Sequence, residues 1–279
     1  MNGPLVPFIK WPGGKRWVAA RIARLVTPHL AGTYIEPFLG GGAVFFHLLP
    51  KRSVLVDVNA ELIGTYRAVR DDPSGVIRLL RRHPVTEEAY YRIRQSEPKQ
   101  RFARAARFLY LNRTAFGGIY RLNLSGKFNV PYGGGERTAE SLCSTDTLSL
   151  ASKALRKARL QIGDFEPAIE AAGAGDVVYC DPTYTVAHDN NGFVRYNERN
   201  FSWEDQERLA DAAFRAARRG SMVIVTNAHH SSLRRLYRGA RFEVLSRTSS
   251  VTPQSELRRT VKELLIRIDP IQTPARRRP

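Results

Sequence analysis

The chain has 279 residues, enough for one large domain or two modest ones, and its 44 lysines and arginines against 26 acids give a net charge of +18. That excess favours a polyanionic partner, and nucleic acid fits better than a membrane, since neither a basic amphipathic helix nor a lipidation signal stands out. With no apolar run of membrane-spanning length, no signal-peptide pattern and only Cys143 and Cys180, far apart, the chain reads as a reduced, cytoplasmic protein without structural zinc or another metal site.

Phe8-Ile9-Lys10-Trp11-Pro12-Gly13-Gly14-Lys15 comes first, and Arg16 to Leu25 then reads as an amphipathic helix. The glycines permit close backbone approach, and Lys15 stands beside the helix start. This is not a phosphate-binding P-loop, because the first glycine of that pattern is missing and Arg16 replaces Ser or Thr. Its plain reading is a surface loop before a helix. Tyr34 to Phe46 reads as a strand, a glycine turn and a helix, the first βα unit of a nucleotide-binding sheet. Phe45 occupies the place of the third glycine of the dinucleotide pattern, which disfavours a pyrophosphate cofactor. A second strand, Ser53 to Val56, ends at Asp57, whose carboxylate is placed to accept hydrogen bonds from ribose hydroxyls. A sugar-bearing cofactor without pyrophosphate satisfies both observations, and S-adenosylmethionine is one.

From about Tyr66 to Leu155 arginine-rich helical stretches dominate. Thr86 can cap a helix from Glu87 to Gln95, and Arg101 to Leu111 repeats apolar residues at helical spacing. Asn112 to Tyr132, broken at Gly118 and Ser125-Gly126, suggests a β-hairpin in which Arg113, Arg121, Asn123 and Lys127 interleave with Phe116, Ile119 and Tyr120. Cations for phosphates and base edges, with apolar wedges between them, suit a DNA-reading surface; a charged, solvated hairpin has the same composition.

The sheet resumes near Leu160, where Gln161-Ile162 leads into Gly163-Asp164-Phe165, and a short Ala/Gly-rich helix is expected to follow. Gly175 to Cys180 is then an apolar strand running into Asp181-Pro182-Thr183-Tyr184. At the carboxyl end of such a strand, a carboxylate, a carbonyl fixed by proline and a ring face suit the grip of a flat base bearing an exocyclic amine. Ser202-Trp203-Glu204-Asp205 resembles a capping box opening a helix that stops at Gly220. Met222 to Thr226 is a fifth strand, Arg241 to Ser246 and Val261 to Ile268 a closing antiparallel pair, and the Pro/Arg-rich tail from Pro270 is expected to be disordered. The histidines show no metal-ligand spacing, and His229-His230 reads as surface.

Lys-Trp-x-Gly-Gly-Lys, Glu-Pro-Phe-x-Gly-x-Gly, an insertion holding Leu-Asn-Arg and Phe-Asn-Val-Pro, and Asp-Pro-x-Tyr occur in that order between residues 8 and 268. Together they resemble the Dam-type, α-arrangement family of DNA adenine-N6 methyltransferases. The resemblance implies a class I S-adenosylmethionine-dependent methyltransferase fold: α/β, Rossmann-like, with a mostly parallel seven-stranded sheet. Residues 1–66 and 156–269 would form the discontinuous catalytic domain and 67–155 the DNA target-recognition insertion.

The resemblance assigns catalysis to Asp181, Pro182 and Tyr184. It assigns contacts with S-adenosylmethionine to Trp11, Lys15, Asp57 and Asp181, with Glu36, Phe38, Gly40, Gly42 and Asp164 lining the same pocket. Arg121 falls on a position that reads a guanine, Phe116 and Ile119 on residues that wedge into the base stack, Pro131 on a base-contacting proline, and Lys10 and Arg113 on DNA-facing positions. Asn123 joins them as a candidate from the hairpin's own composition. The implied partner is double-stranded DNA with GATC or a related short site as target; no obligate protein partner is evident, and a cognate restriction endonuclease is left open.

Two residues depart from the family pattern. Thr183 replaces the second proline of the catalytic turn, and Gly117 replaces a larger polar side chain in the recognition hairpin. Two other readings stay open: methylation of another exocyclic amine, cytosine N4 or RNA, and a DNA-binding protein that keeps the scaffold without catalysis.

Overall fold

A computed structural model of the chain describes residues 3–123, 125–135, 137–185, 201–248 and 260–271; most of the tail expected from Pro270 lies outside them. Short apolar runs become the strands β1 (Tyr34–Glu36), β2 (Ser53–Asp57), β3 (Ala158–Ile162), β4 (Val177–Cys180), β5 (Met222–Ala228), β6 (Arg241–Thr248) and β7 (Thr260–Ile268). They form one seven-stranded sheet in the order β3-β2-β1-β4-β5-β7-β6. The pairs β2–β3, β1–β4 and β4–β5 are parallel, whereas β7 runs antiparallel to β5 and β6. Every residue of β4 and β5 is buried. Strands covered on both faces read as continuous apolar runs rather than alternating ones, which is how both stand in the sequence.

The chain divides into two compact units, residues 1–27 with 39–163 and residues 28–38 with 164–279. The first holds β2, β3 and a set of helices built on side-chain caps. Asn59 caps Ala60–Asp71, Asp72 caps Pro73–Leu80 with proline in the first turn, and Thr86 caps Glu87–Gln95 as expected. The structure departs from the sequence expectations at three places in this unit. The first helix spans Ala19–Val26 rather than opening at Arg16: Val18 N–H turns back onto the Lys15 carbonyl, and no side chain caps the start. The helix Arg101–Thr114 runs three residues past Leu111, absorbing Asn112-Arg113-Thr114. Of the hairpin expected there, the described residues keep two isolated antiparallel bridges, Ala115 with Tyr132 and Leu122 with Phe128. A 3-10 turn over Phe116–Gly118 interrupts it, because Gly117 and Gly118 take φ of 61° and 65°, outside strand geometry.

The second unit holds β1 and β4 to β7. Asp164 accepts from Glu166 N–H and starts the helix Phe165–Glu170, so the short helix precedes the Ala/Gly-rich run, which forms a turn before β4. The helix Trp203–Arg218 opens on a reciprocal capping box between Ser202 and Asp205, as expected. β5 continues past Thr226 to Ala228, and β6 past Ser246 to Thr248.

Candidate active site

β4 delivers its last residue directly into Asp181-Pro182-Thr183-Tyr184, within the second unit. The half-buried Asp181 accepts a hydrogen bond from Thr226 Oγ1 at 2.8 Å, and that hydroxyl lies 3.0 Å from the Tyr179 hydroxyl. Thr226 has one proton and gives it to the carboxylate, so the Tyr179 hydroxyl donates to Thr226. Burial, first, and the Asp181 charge hold the Tyr179 hydroxyl well above the usual tyrosine pKa, so it keeps the proton this chain requires. Asp181 is thereby fixed as an acceptor. Tyr184 donates its hydroxyl to Glu263 Oε2 at 2.7 Å, and Thr185 Oγ1 donates to the Phe201 carbonyl at 2.9 Å, so the turn is tied down beyond Asp181 as well.

The other candidates of this unit lie near strand ends. Glu36 is buried at the end of β1 and accepts the Tyr34 hydroxyl at 2.9 Å. Phe38 stacks on Phe165 with centroids 5.3 Å apart and meets Phe201 edge-on at 5.5 Å. Asp164 pairs with Arg208 Nη2 at 2.9 Å, while that guanidinium lies over the Phe165 ring at 4.9 Å. Phe38 and Asp164 thus belong to one aromatic and ionic cluster.

In the first unit, Trp11, Gly40 and Asp57 come together. Gly40 has φ of +47°, and a Cβ there would stand 2.7 Å from Trp11 Cδ1, so only glycine admits the indole. Gly42, with φ of +65°, precedes the helix Ala43–Leu48. Asp57 Oδ2 accepts Gly40 N–H at 3.0 Å and Oδ1 accepts Asn59 N–H at 2.9 Å. Burial pushes the Asp57 carboxyl above its ordinary range, and the two backbone donors pull the other way. Lys15 is buried, with Nζ donating to the Gly13 carbonyl at 2.8 Å. The Trp11 indole stacks on Tyr120 at 5.4 Å, and the Tyr120 hydroxyl donates to Glu61. No sequence spacing pairs residues 11 and 120; the candidate status of both aromatics is the signal that was present.

The same unit carries the DNA-facing candidates. Buried Asn112 clamps Lys10, accepting its N–H at 2.9 Å and donating to its carbonyl at 2.7 Å. Partial burial, then the charges of Arg113 and Arg137, lower the Lys10 pKa. Phe116 and Ile119 are 56% and 38% exposed on either side of the glycine pair. Arg121 is exposed, with Nε donating to Asn129 Oδ1 at 2.9 Å. Asn123 Oδ1 accepts the N–H groups of Ser125 and Lys127, closing the turn, and the Pro131 carbonyl accepts Phe116 N–H.

Arg113 is partly buried, its Nη2 donating to the Phe8 carbonyl at 2.7 Å. Its Nε is buried without a hydrogen-bond partner, and burial lowers its pKa. Arg113→Ala should therefore destabilise the fold by about 1–3 kcal/mol through the orphaned carbonyl and lost packing. Urea unfolding of the variant checks this; an unchanged midpoint would contradict it.

Among the described residues no cluster of three or more His, Cys, Asp or Glu is arranged to hold a metal ion, and no helix is long and apolar enough to cross a membrane. Both cysteines are buried free thiols.

The mostly parallel sheet, with Asp-Pro-x-Tyr where β4 ends, is that of a class I methyltransferase. Within that class, the chain belongs to the D12 class N6 adenine-specific DNA methyltransferases, whose family profile matches residues 11–252. It is 35% identical to the Type II methyltransferase M1.LlaDCHI of Lactococcus lactis subsp. cremoris, across 94% of this chain and 95% of that one. It is 32% identical to the DNA adenine methylase of Escherichia coli strain K12, across 97% and 98% of the two chains. Identity to the Type II methyltransferase M.MjaIII of Methanocaldococcus jannaschii is 31%, across 93% and 98%. The family expected from the sequence motifs is the family found.

Proposed function

We propose that this protein transfers a methyl group from S-adenosylmethionine to N6 of an adenine flipped out of double-stranded DNA, at GATC or a related short site. The observation that carries this reading is the fixed acceptor, Asp181, bonded by Thr226 at the head of the Asp-Pro-x-Tyr turn. Adenine N6 is a poor nucleophile because its lone pair is delocalised into the ring. Asp181 and the Pro182 carbonyl accept hydrogen bonds from the amine, which localises that lone pair and stabilises the positive charge that develops on nitrogen. Tyr184 supplies the face on which the base stacks, worth about 1–3 kcal/mol and comparable with the roughly few kcal/mol needed to extrude a base. Thr183 leaves this scheme intact, since the accepting carbonyl belongs to Pro182.

The residues of the first unit suit the cofactor. A carboxylate offers about four lone-pair sites; Asp57 uses two on the Gly40 and Asn59 amides and keeps acceptor capacity for ribose hydroxyls. The bare Gly40 backbone beside Trp11 leaves no room for a side chain where a ligand would approach. S-adenosylmethionine, when bound, supplies a methyl group already activated on a sulfonium. In this unit Trp11, Lys15, Gly40, Gly42 and Asp57 are proposed to hold it; Glu36, Phe38, Asp164 and Asp181 of the second unit are proposed as cofactor contacts on the family resemblance alone.

For DNA, Lys10 lies near the like charges of Arg113 and Arg137, which add to burial in lowering its pKa, and a phosphate would relieve that repulsion. Exposed Phe116 and Ile119 are proposed as wedges into the base stack, with Arg121, Asn123 and Pro131 towards base edges and residues 67–155 as the recognition insertion. Arg113 would serve chiefly by holding the Phe8 segment in place. A cytoplasmic location goes with such a substrate. The Type II names of two relatives support a cognate restriction endonuclease as partner, which a GATC-cleaving nuclease encoded beside this protein would bear out.

The test of target reading is methylation of a duplex library carrying every single-base variant of GATC. The wild type should prefer GATC. Arg121→Ala should lose about 1–3 kcal/mol of discrimination at one guanine while keeping preference at the other positions. Equal loss at every site would assign Arg121 to the phosphates, and a wild type indifferent to GATC would refute the target.

A further inference from the structure

Glu263 is 1% exposed, in the strand between β5 and β6, opposite Ala228 on one side and Leu245 on the other. The three residues after it, Leu264, Leu265 and Ile266, are buried and apolar. Removing a carboxylate from water costs several kcal/mol unless its lone pairs are hydrogen-bonded, and an apolar residue would fill this sheet position without that cost. The carboxylate accepts the hydroxyl of Tyr184 at 2.7 Å, a short charge-assisted bond across 79 residues of sequence. Burial first, then the Asp181 and Glu263 carboxylates, push the Tyr184 hydroxyl well above the usual tyrosine pKa, so it stays protonated and remains the donor.

We infer that Glu263 is a positioning residue for methyl transfer: by anchoring the Tyr184 hydroxyl it fixes the ring on which the target base stacks. This rests on the function proposed above. A tyrosine ring swings about two torsions. Its Cα is held by the turn, since Thr226 bonds Asp181 on one side and the Phe201 carbonyl bonds Thr185 on the other. With the far end of the ring bonded to Glu263, the side chain is held at both ends. A stacking platform held in this way presents the base amine to Asp181 and Pro182 at one distance, and misplacement of reacting groups by about 1 Å can cost roughly a hundredfold in rate.

The experiment measures kcat on duplex DNA, together with cofactor and DNA affinity, for Glu263→Leu, Glu263→Gln, Tyr184→Phe and the Glu263→Leu/Tyr184→Phe double variant. Glu263→Leu should lower kcat by about tenfold or more while both affinities stay within about twofold. Glu263→Gln, whose amide oxygen still accepts, should recover most of the rate, and Tyr184→Phe separates this bond from a packing role of the carboxylate. Tyr184→Phe keeps the ring and removes only the hydroxyl; it should match Glu263→Leu, and the double variant should be no slower than either. Single losses that multiply in the double variant would overturn the inference, as would Tyr184→Phe at the wild-type rate. The Tyr184→Phe result decides alone if Glu263→Leu fails to fold. A wild type that methylates no DNA overturns the proposed function and this inference together; an active wild type beside unaffected variants overturns the inference only.

Discussion

Asp181→Ala should lower methyl transfer to DNA by about 10²–10³-fold or more while duplex affinity changes little. Removing one preorganised hydrogen-bonding group from a charge that develops in the transition state costs about that factor. Alanine also takes away the carboxylate to which the Thr226 hydroxyl donates, while the Tyr179 hydroxyl keeps Thr226 Oγ1 as its acceptor. Most DNA affinity comes from cations on phosphates, and none of those side chains is altered. Single-turnover rates and binding isotherms on one duplex separate the two effects. Near wild-type transfer by a folded Asp181→Ala variant would remove the carboxylate from the mechanism.

Asp57→Ala should weaken S-adenosylmethionine binding by roughly ten- to a hundredfold, the equivalent of about 1.5–3 kcal/mol for lost charge-assisted hydrogen bonds. Two effects add: the ribose acceptor disappears, and Gly40 N–H loses the carboxylate that orients the glycine turn. The fold should survive, because a half-buried charge is removed with them. Burial raises the Asp57 pKa above the ordinary carboxylate range, so the folded state holds this proton more tightly than the unfolded state. The group's contribution to stability therefore falls as pH rises from the unfolded carboxyl's ordinary range through the raised value. The melting temperature of Asp57→Ala relative to wild type should accordingly shift in the variant's favour from acid to neutral pH. Calorimetry with the cofactor tests the binding claim, and unchanged affinity in a folded variant would end the assignment.

The elements most legible in the sequence are those whose cause is local. β4 and β5 are buried on both faces, so Val177-Val178-Tyr179-Cys180 and Met222-Val223-Ile224-Val225 stand out without any partner being known. Thr86 and Ser202 carry helix-start chemistry within four residues, and both caps form. The hairpin expected over Asn112 to Tyr132 is kept only in part, as two antiparallel bridges, because its start belongs to other geometry. Asn112 and Thr114 satisfy the helix and Lys10 rather than a strand, and two successive left-handed glycines prevent a continuous ladder.

The site was legible as separate motifs and not as a network. Asp57 and Asp181 announce themselves as acids closing apolar strands, but what holds them comes from elsewhere in the chain. Thr226 bonds Asp181 across 45 residues and Glu263 bonds Tyr184 across 79. In the sequence these two are a polar residue in β5 and an acid in β7, each the kind of exception to an apolar strand that deserves a structural explanation. Trp11 and Tyr120 meet only because the chain returns through the helix Arg101–Thr114. Such pairings depend on register and topology, which no short window of sequence contains.

The most direct test of the account is transfer of a labelled methyl group from S-adenosylmethionine to duplex DNA by the purified chain, with the product digested to nucleosides and separated. The label should appear as N6-methyldeoxyadenosine and depend on Asp181, and single-stranded RNA should take up none. Label in N4-methyldeoxycytidine or in RNA would contradict the assigned acceptor, and no transfer by folded, cofactor-bound protein would contradict the proposed catalysis itself.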